Sequence, residues 1–177
     1  HSLCPYFAMF PETFARESIA KTTRPGDLVL DPFCGRGTAI LEALLNKRHA
    51  IGCDINPVAA AVSRAKANPP ELAEVLELLN SLETKFQKAG KKRLEHAREM
   101  LPTFFRYAYS RETLLQLLYL RRNLTDKRDR AHRFVCVLVL GHLHGEVDRS
   151  SSFLSNQMPH TIAPKPDYSV RYWKERG

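Results

Sequence analysis

The chain has 177 residues, with 27 Lys and Arg against 19 Asp and Glu, a formal charge of +8 and a pI near 9.5. This excess of cations favours polyanionic partners through counterion release, and 44% hydrophobic residues with 8 glycines exclude a disordered or collagen-like chain. The apolar runs are too short for a membrane-spanning helix, and the four cysteines, Cys4, Cys34, Cys53 and Cys136, lack the paired spacing of a zinc site or a disulfide framework and read as reduced cytosolic thiols.

The chain opens on His1-Ser2 without an initiator Met, which reads as an artificial boundary, and continues into an aromatic stretch, Cys4 to Phe14, with Phe7, Phe10, Pro11 and Phe14. One reading of these rings is a hydrophobic staple that covers a sheet. Leu28 to Leu30 then form a short apolar strand that ends at Asp31, followed by Pro32, Phe33, Cys34, Gly35, Arg36, Gly37 and a helix from Thr38 to Leu45. Two glycines at such a junction allow left-handed torsions and close backbone approach, and the loop amides and helix N-terminus suit a polar or anionic ligand. An ordinary βα turn would also use them.

A second unit repeats this grammar. His49 to Cys53 is an apolar run that ends in Asp54, and Ile55 and Asn56 lead into Pro57 and a helix through Ala67. An acid at the tip of the second strand of a doubly wound sheet accepts hydrogen bonds from a ribose diol, though an acid here also suits a helix cap. Asn56 caps the next helix and Pro57 suits its first position.

From Asn68 the pattern becomes helical. Asn68-Pro69-Pro70-Glu71 reads as a helix start, and Leu72, Val75, Leu76, Leu79 and Leu82 give that helix one buried stripe ending near Ala89-Gly90. Lys91-Lys92-Arg93 begins a basic segment. Ser110 caps a further helix with Leu114, Leu117, Leu118 and Leu124 inside and Arg111, Arg121 and Arg122 outside, and Phe134 to Leu140 is apolar enough for a strand, but its setting between Asp126 and Gly145 at helix length favours a buried helix. Arg121, Arg122, Lys127 and Arg128 are either phosphate contacts or a solvated face. His142 and His144 point apart on a helix, which argues against a metal there. The tail from Ser150 to Trp173, with Asn156, Lys165 and Arg171 among hydroxyls, prolines and aromatics, reads as an extended loop, either on a polar polymer or packed against the preceding helices.

Asp31-Pro32-Phe33-Cys34-Gly35-Arg36-Gly37-Thr38 lacks both the dinucleotide glycine spacing and the P-loop ending. It resembles motif I of the S-adenosylmethionine-dependent DNA amino-methyltransferases. Cys4 to Phe14 resembles that family's motif X, and Asp54 with Ile55 and Asn56 its motif II. The resemblance implies an α/β, Rossmann-like class I methyltransferase fold whose sheet is incomplete here, with residues 1–68 as the cofactor-binding part, 69–147 as a helical insertion and 148–177 as a loop leading toward a missing catalytic motif. It implies S-adenosyl-L-methionine as cofactor and transfer of its methyl group to N4 of cytosine or N6 of adenine in double-stranded DNA, with the base flipped out of the duplex.

Gly35, Gly37 and Thr38 would lie by the methionine moiety, Asp31 by the ammonium, Phe33 by the sulfonium and Asp54 on the ribose, with Phe7, Phe10, Pro11, Pro32, Cys34, Ile55 and Asn56 around them. Asn68-Pro69-Pro70 imitates the family's catalytic tetrapeptide, but Glu71 stands where an aromatic is required, so no catalytic residue is assigned. The rest of the methyltransferase would follow in the same polypeptide or come from a partner subunit, in the cytoplasm and with no membrane. An RNA amino-methyltransferase and a noncatalytic binding half are the alternatives, and a helical insertion in such a protein would read DNA, close over the cofactor or brace the sheet.

Overall fold

The computed structural model describes residues 3–4, 10–126, 128–145, 153–155 and 166–176. These form two compact units, His1–Val75 with Lys127–Gly141, and Leu76–Asp126 with His142–Gly177. The units cut across the boundaries at 68 and 147 suggested by the change of pattern, because a late helix returns to the N-terminal part.

The first unit begins with α1 (Glu12–Thr22), β1 (Leu28–Asp31), α2 (Thr38–Leu45), β2 (His49–Gly52) and α3 (Pro57–Ala67). β1 and β2 pair in parallel, with Leu28 opposite His49, Val29 opposite Ala50, Leu30 opposite Ile51 and Asp31 opposite Gly52. Paired residues share a face, so the register separates two unlike surfaces. Gly52 lies against Ile40 of α2, whose side chain would sit 2.9 Å from an added Cβ. On the other face Leu28, Leu30 and Ile51 are 58%, 65% and 54% exposed, so that face has no cover among the described residues. The expected α/β pattern is thus present as one strand–helix–strand–helix unit, in a chain that is otherwise mostly helical.

α1 packs on α2 and buries Ala15 and Ile19. Phe10 and Phe14 form an edge-to-face pair with centroids 5.7 Å apart and are 43% and 60% exposed, so these two rings cover each other rather than the sheet. α8 (Arg130–His142) is a helix, as its length and setting predict. Its Val137 and Phe134 join Cys4 and the Val62 and Ala65 side chains of α3 in one apolar cluster. Gly141 lets that helix approach the N-terminal segment, since a Cβ there would lie 2.9 Å from the Leu3 carbonyl. Arg130 is also joined to Glu74 by an ion pair of 2.8 Å.

Asn68 does not start a helix. It ends α3 at φ −141° and ψ 73°, and α4 (Leu72–Lys88) begins four residues later. Consecutive prolines explain the gap, because each disfavours helical torsions in the residue before it. The Glu71 amide donates to Glu74 Oε2 at 2.7 Å and so caps the start of α4. The buried stripe of α4 also differs from expectation. Val75, Leu82 and Phe86 are buried, with Leu78 partly so, whereas Leu72, Leu76 and Leu79 are exposed. Both sets satisfy helical spacing, so periodicity alone left the rotation of the helix undetermined.

The second unit contains α5 (Lys92–Glu99), α6 (Thr103–Ala108), α7 (Arg111–Asn123) and α9 (Pro166–Arg176) with most of α4. Ser110 caps α7 as its sequence predicts, its Oγ accepting from the Thr113 amide at 3.1 Å. Leu114 and Leu118 are buried, with Leu117 and Leu124 partly so, and the fully enclosed Leu115 and the buried Tyr119 complete the face. The Phe86 and Tyr119 rings meet edge to face at 5.3 Å. The stretch read as an extended tail contains α9. Pro166 at its start and Asp167 in its first turn are ordinary helix-initiating signals, and Trp173 is anchored 5.7 Å from Phe104 and 6.3 Å from Tyr107.

Candidate cofactor-binding site

The loop between β1 and α2 is fixed by its own short sequence. Gly35 has φ 50° and Gly37 φ 74°, both in the left-handed region, where a non-glycine L-residue costs roughly 1–2 kcal/mol. Gly37 is the N-cap residue of α2, so its left-handed torsion sets the direction in which the helix leaves the loop. It is also pressed against α3, where an added Cβ would stand 2.3 Å from Ser63 Oγ and 2.9 Å from Ser63 Cα. The space that glycine saves at Gly37 is therefore used by α3.

The loop is laid along the end of β2 by a continuous set of hydrogen bonds. The Cys53 amide donates to the Asp31 carbonyl at 3.1 Å and the Cys34 amide to the Cys53 carbonyl at 3.0 Å. The Gly35 amide donates to Asp54 Oδ2 at 2.8 Å, while Asp54 Oδ1 accepts from the Asn56 amide at 2.8 Å. Asn56 in turn caps α3 through its Oδ1, which accepts from the Val58 amide at 2.9 Å. The two units of strand, loop and helix are thereby joined at Asp54.

Most of the sequence-predicted cofactor residues come together here. Asp31 accepts from the Phe33 amide at 3.1 Å, and Pro32, Phe33, Ile55 and Asn56 are exposed around the half-buried Asp31 and Asp54. Phe33 is 87% exposed and Ile55 fully so, and apolar side chains standing free at strand tips are what a planar or sulfonium-bearing ligand would cover. Cys34 and Thr38 are buried instead. Burial pushes the Cys34 thiol up; the hydrogen bond with Ser63 opposes this, and the Asp31 and Asp54 carboxylates add to it, so the thiol stays protonated. Phe10 and Pro11 precede α1 and are exposed; Phe7 lies outside the described residues.

The described members of the proposed nucleic-acid set fall in both units. Arg121 and Arg122 are exposed in the last turn of α7, where cations also complement the helix dipole, and Arg171 is exposed on α9, all in the second unit. Arg128 is exposed in the first unit; Lys127, Asn156 and Lys165 lie outside the described residues. Sequence reasoning missed Ser63 and Lys66 of α3, which touch the glycine loop. The only signal for them is their spacing of three on a helix otherwise rich in alanine.

A glycine loop between a strand and a helix, tied to an acid at the tip of the next strand, defines the binding end of a nucleotide-type α/β unit. Residues 3–64 match the DNA methylase family. Among the curated relatives, the Type II methyltransferase M.Cfr9I of Citrobacter freundii is 36% identical over 72 residues, 40% of this chain and 24% of that protein. The orphan methyltransferase M.BamHII of Bacillus amyloliquefaciens is 45% identical over 49 residues, 28% and 18% of the two chains. The Type II methyltransferase M.MvaI of Kocuria varians is 33% identical over 81 residues, 44% and 18%. The chain thus spans about a quarter or less of the length of these relatives. No solved structure matches it.

Proposed function

We propose that this chain is the cofactor-binding part of a DNA amino-methyltransferase that binds S-adenosyl-L-methionine and serves methyl transfer to N4 of cytosine or N6 of adenine. The observation that carries the reading is the 2.8 Å bond from the Gly35 amide to Asp54, in a segment that matches DNA methylases. Each Asp54 oxygen accepts one backbone amide and retains a lone pair, so the carboxylate can still receive two ribose hydroxyls. Asp54 would hold the sugar, Phe33 and Ile55 would shelter the apolar parts, and the loop amides and the start of α2 would meet the carboxylate. The bound cofactor supplies an electrophilic methyl group.

The amino group to be methylated must be held by residues outside the cofactor loop. Asn68-Pro69-Pro70-Glu71 is the linker between α3 and α4 and offers no aromatic for a base to stack on, so we assign no catalytic residue. The exposed face of Leu28, Leu30 and Ile51 supports a Rossmann-like sheet completed by further strands and a second helical layer, from the same polypeptide or a partner subunit. Arg121, Arg122, Arg128 and Arg171 are proposed phosphate contacts of that larger protein on duplex DNA, which would act in the cytoplasm.

Calorimetric titration with S-adenosylhomocysteine tests the cofactor reading. Binding is expected, with Asp54→Ala weakening it by about tenfold or more, because charge-assisted hydrogen bonds and the Gly35 tether are lost together. Unchanged affinity would remove Asp54 from the ribose. Labelled-methyl transfer by the full-length protein, with duplex DNA competing against structured RNA, tests the substrate.

A further inference from the structure

The Arg36–Gly37 peptide group is held at both ends. Its N–H, on Gly37, donates to the Cys34 carbonyl at 2.7 Å within the loop. Its carbonyl, on Arg36, accepts from Lys66 Nζ at 2.8 Å, a bond that spans 30 residues of sequence. Lys66 belongs to α3 and is 8% exposed; Ser63, one turn earlier on the same helix, is 6% exposed and abuts Gly37. One face of α3 therefore grips the loop twice, by contact at Gly37 and by hydrogen bond at Arg36.

Burying an ammonium group is costly unless it finds strong acceptors, and lysines are rarely found so enclosed. Here the long side chain serves a backbone carbonyl at the position that sets the torsion of Gly37. We infer that Lys66 is a positioning residue of the cofactor site, locking the Arg36–Gly37 peptide so that the glycine loop is preorganised for its ligand. The inference rests on the cofactor reading above, and it adds a residue from outside the strand–loop–helix signature.

Preorganisation matters because a loop that must be ordered on binding charges its conformational entropy against affinity. A lysine clamp also makes the loop sensitive to pH. Burial, with a smaller contribution from Arg36 on the loop, lowers the Lys66 ammonium, while Glu12 on α1 and Glu42 on α2 work to raise it, leaving it at about 8. Below that pH the bond to Arg36 is charge-assisted, and above it the neutral amine holds the carbonyl less strongly.

The test compares the wild-type chain with Lys66→Met, which keeps the apolar stem and removes the donor, and with Lys66→Arg, which keeps a donor. Amide hydrogen exchange at residues 35–38, measured without ligand, is expected to be about tenfold faster in Lys66→Met, with α7 unchanged and Lys66→Arg largely restored. In the same variants, S-adenosylhomocysteine affinity by calorimetry falls in Lys66→Met. Wild-type affinity declines as pH rises through about 8, whereas Lys66→Met is flat across that range. Unaltered loop protection in Lys66→Met overturns the clamp. If that variant does not fold, the wild type alone decides, since protection corrected for intrinsic exchange must drop through the same pH range and pH-independent protection refutes the role. The exchange arm needs no ligand, so a wild-type chain that fails to bind S-adenosylhomocysteine overturns the cofactor reading separately.

Discussion

Replacing Gly37 by alanine probes the site's backbone most directly, because two independent costs meet at one atom. The first is torsional: φ is 74°, and an L-residue held there is disfavoured by roughly 1–2 kcal/mol. The second is steric: the new methyl group would lie 2.3 Å from Ser63 Oγ, 2.8 Å from its Cβ and 2.9 Å from its Cα. Relief requires α3 or the loop to move, and overpacking of this kind costs typically about 1–3 kcal/mol. Together they predict a loss of roughly 2–5 kcal/mol.

Gly26 provides the control, with φ 90° and no atom within 4 Å of an added Cβ, so Gly26→Ala carries the torsional cost alone. Urea unfolding followed by circular dichroism should therefore rank wild type above Gly26→Ala and Gly26→Ala above Gly37→Ala. Adding Ser63→Gly, which removes two of the three close atoms, should recover part of the deficit of Gly37→Ala in a double-mutant cycle. Equal midpoints for the two alanine variants, or strict additivity with Ser63→Gly, would refute the contact between loop and helix.

Asn56→Ala removes the acceptor for the Val58 amide and should lower stability by about 1 kcal/mol, with Asn56→Asp close to wild type, as read by thermal unfolding. Tyr109 is buried in the second unit and donates to the Leu143 carbonyl at 3.0 Å, and burial pushes its phenol up to about 12. The folded state therefore keeps the proton more tightly than the unfolded chain, so this stabilisation is complete below pH about 10 and lost as pH rises toward 12. Tyr109→Phe should flatten that alkaline decline in a pH series of urea titrations, and an identical slope in the two proteins would contradict the assignment.

The local chemistry of this protein was legible in its residues. A strand ending in Asp31, glycines at 35 and 37, and the cap formed by Asn56 and Pro57 each depend on torsion or hydrogen bonding within a few positions, and each appears as read. The same holds for the Ser110 cap and for the helical state of residues 134–140. The buried row of α4 has another cause. Leu72, Leu76 and Leu79 are as regularly spaced as Val75, Leu82 and Phe86, and only the packing of particular neighbours selects which row is buried. The start of α4 at Leu72 and the helix α9 differ from the expected start at Asn68 and the expected extended tail, and both carry local proline and capping signals.

Sequence alone determined where the glycine loop turns, which acid stands at each strand tip and where the caps of α3 and α7 fall, because those choices are settled over distances of one helical turn. Tertiary structure decided what those segments meet: α8 returning to cover α3, one sheet face shielded by α2 and the other exposed among the described residues, and a lysine reaching 30 residues back to the glycine loop. Contacts between residues far apart in the chain depend on how faces fit and exclude water, and spacing along one strand of sequence does not encode that fit.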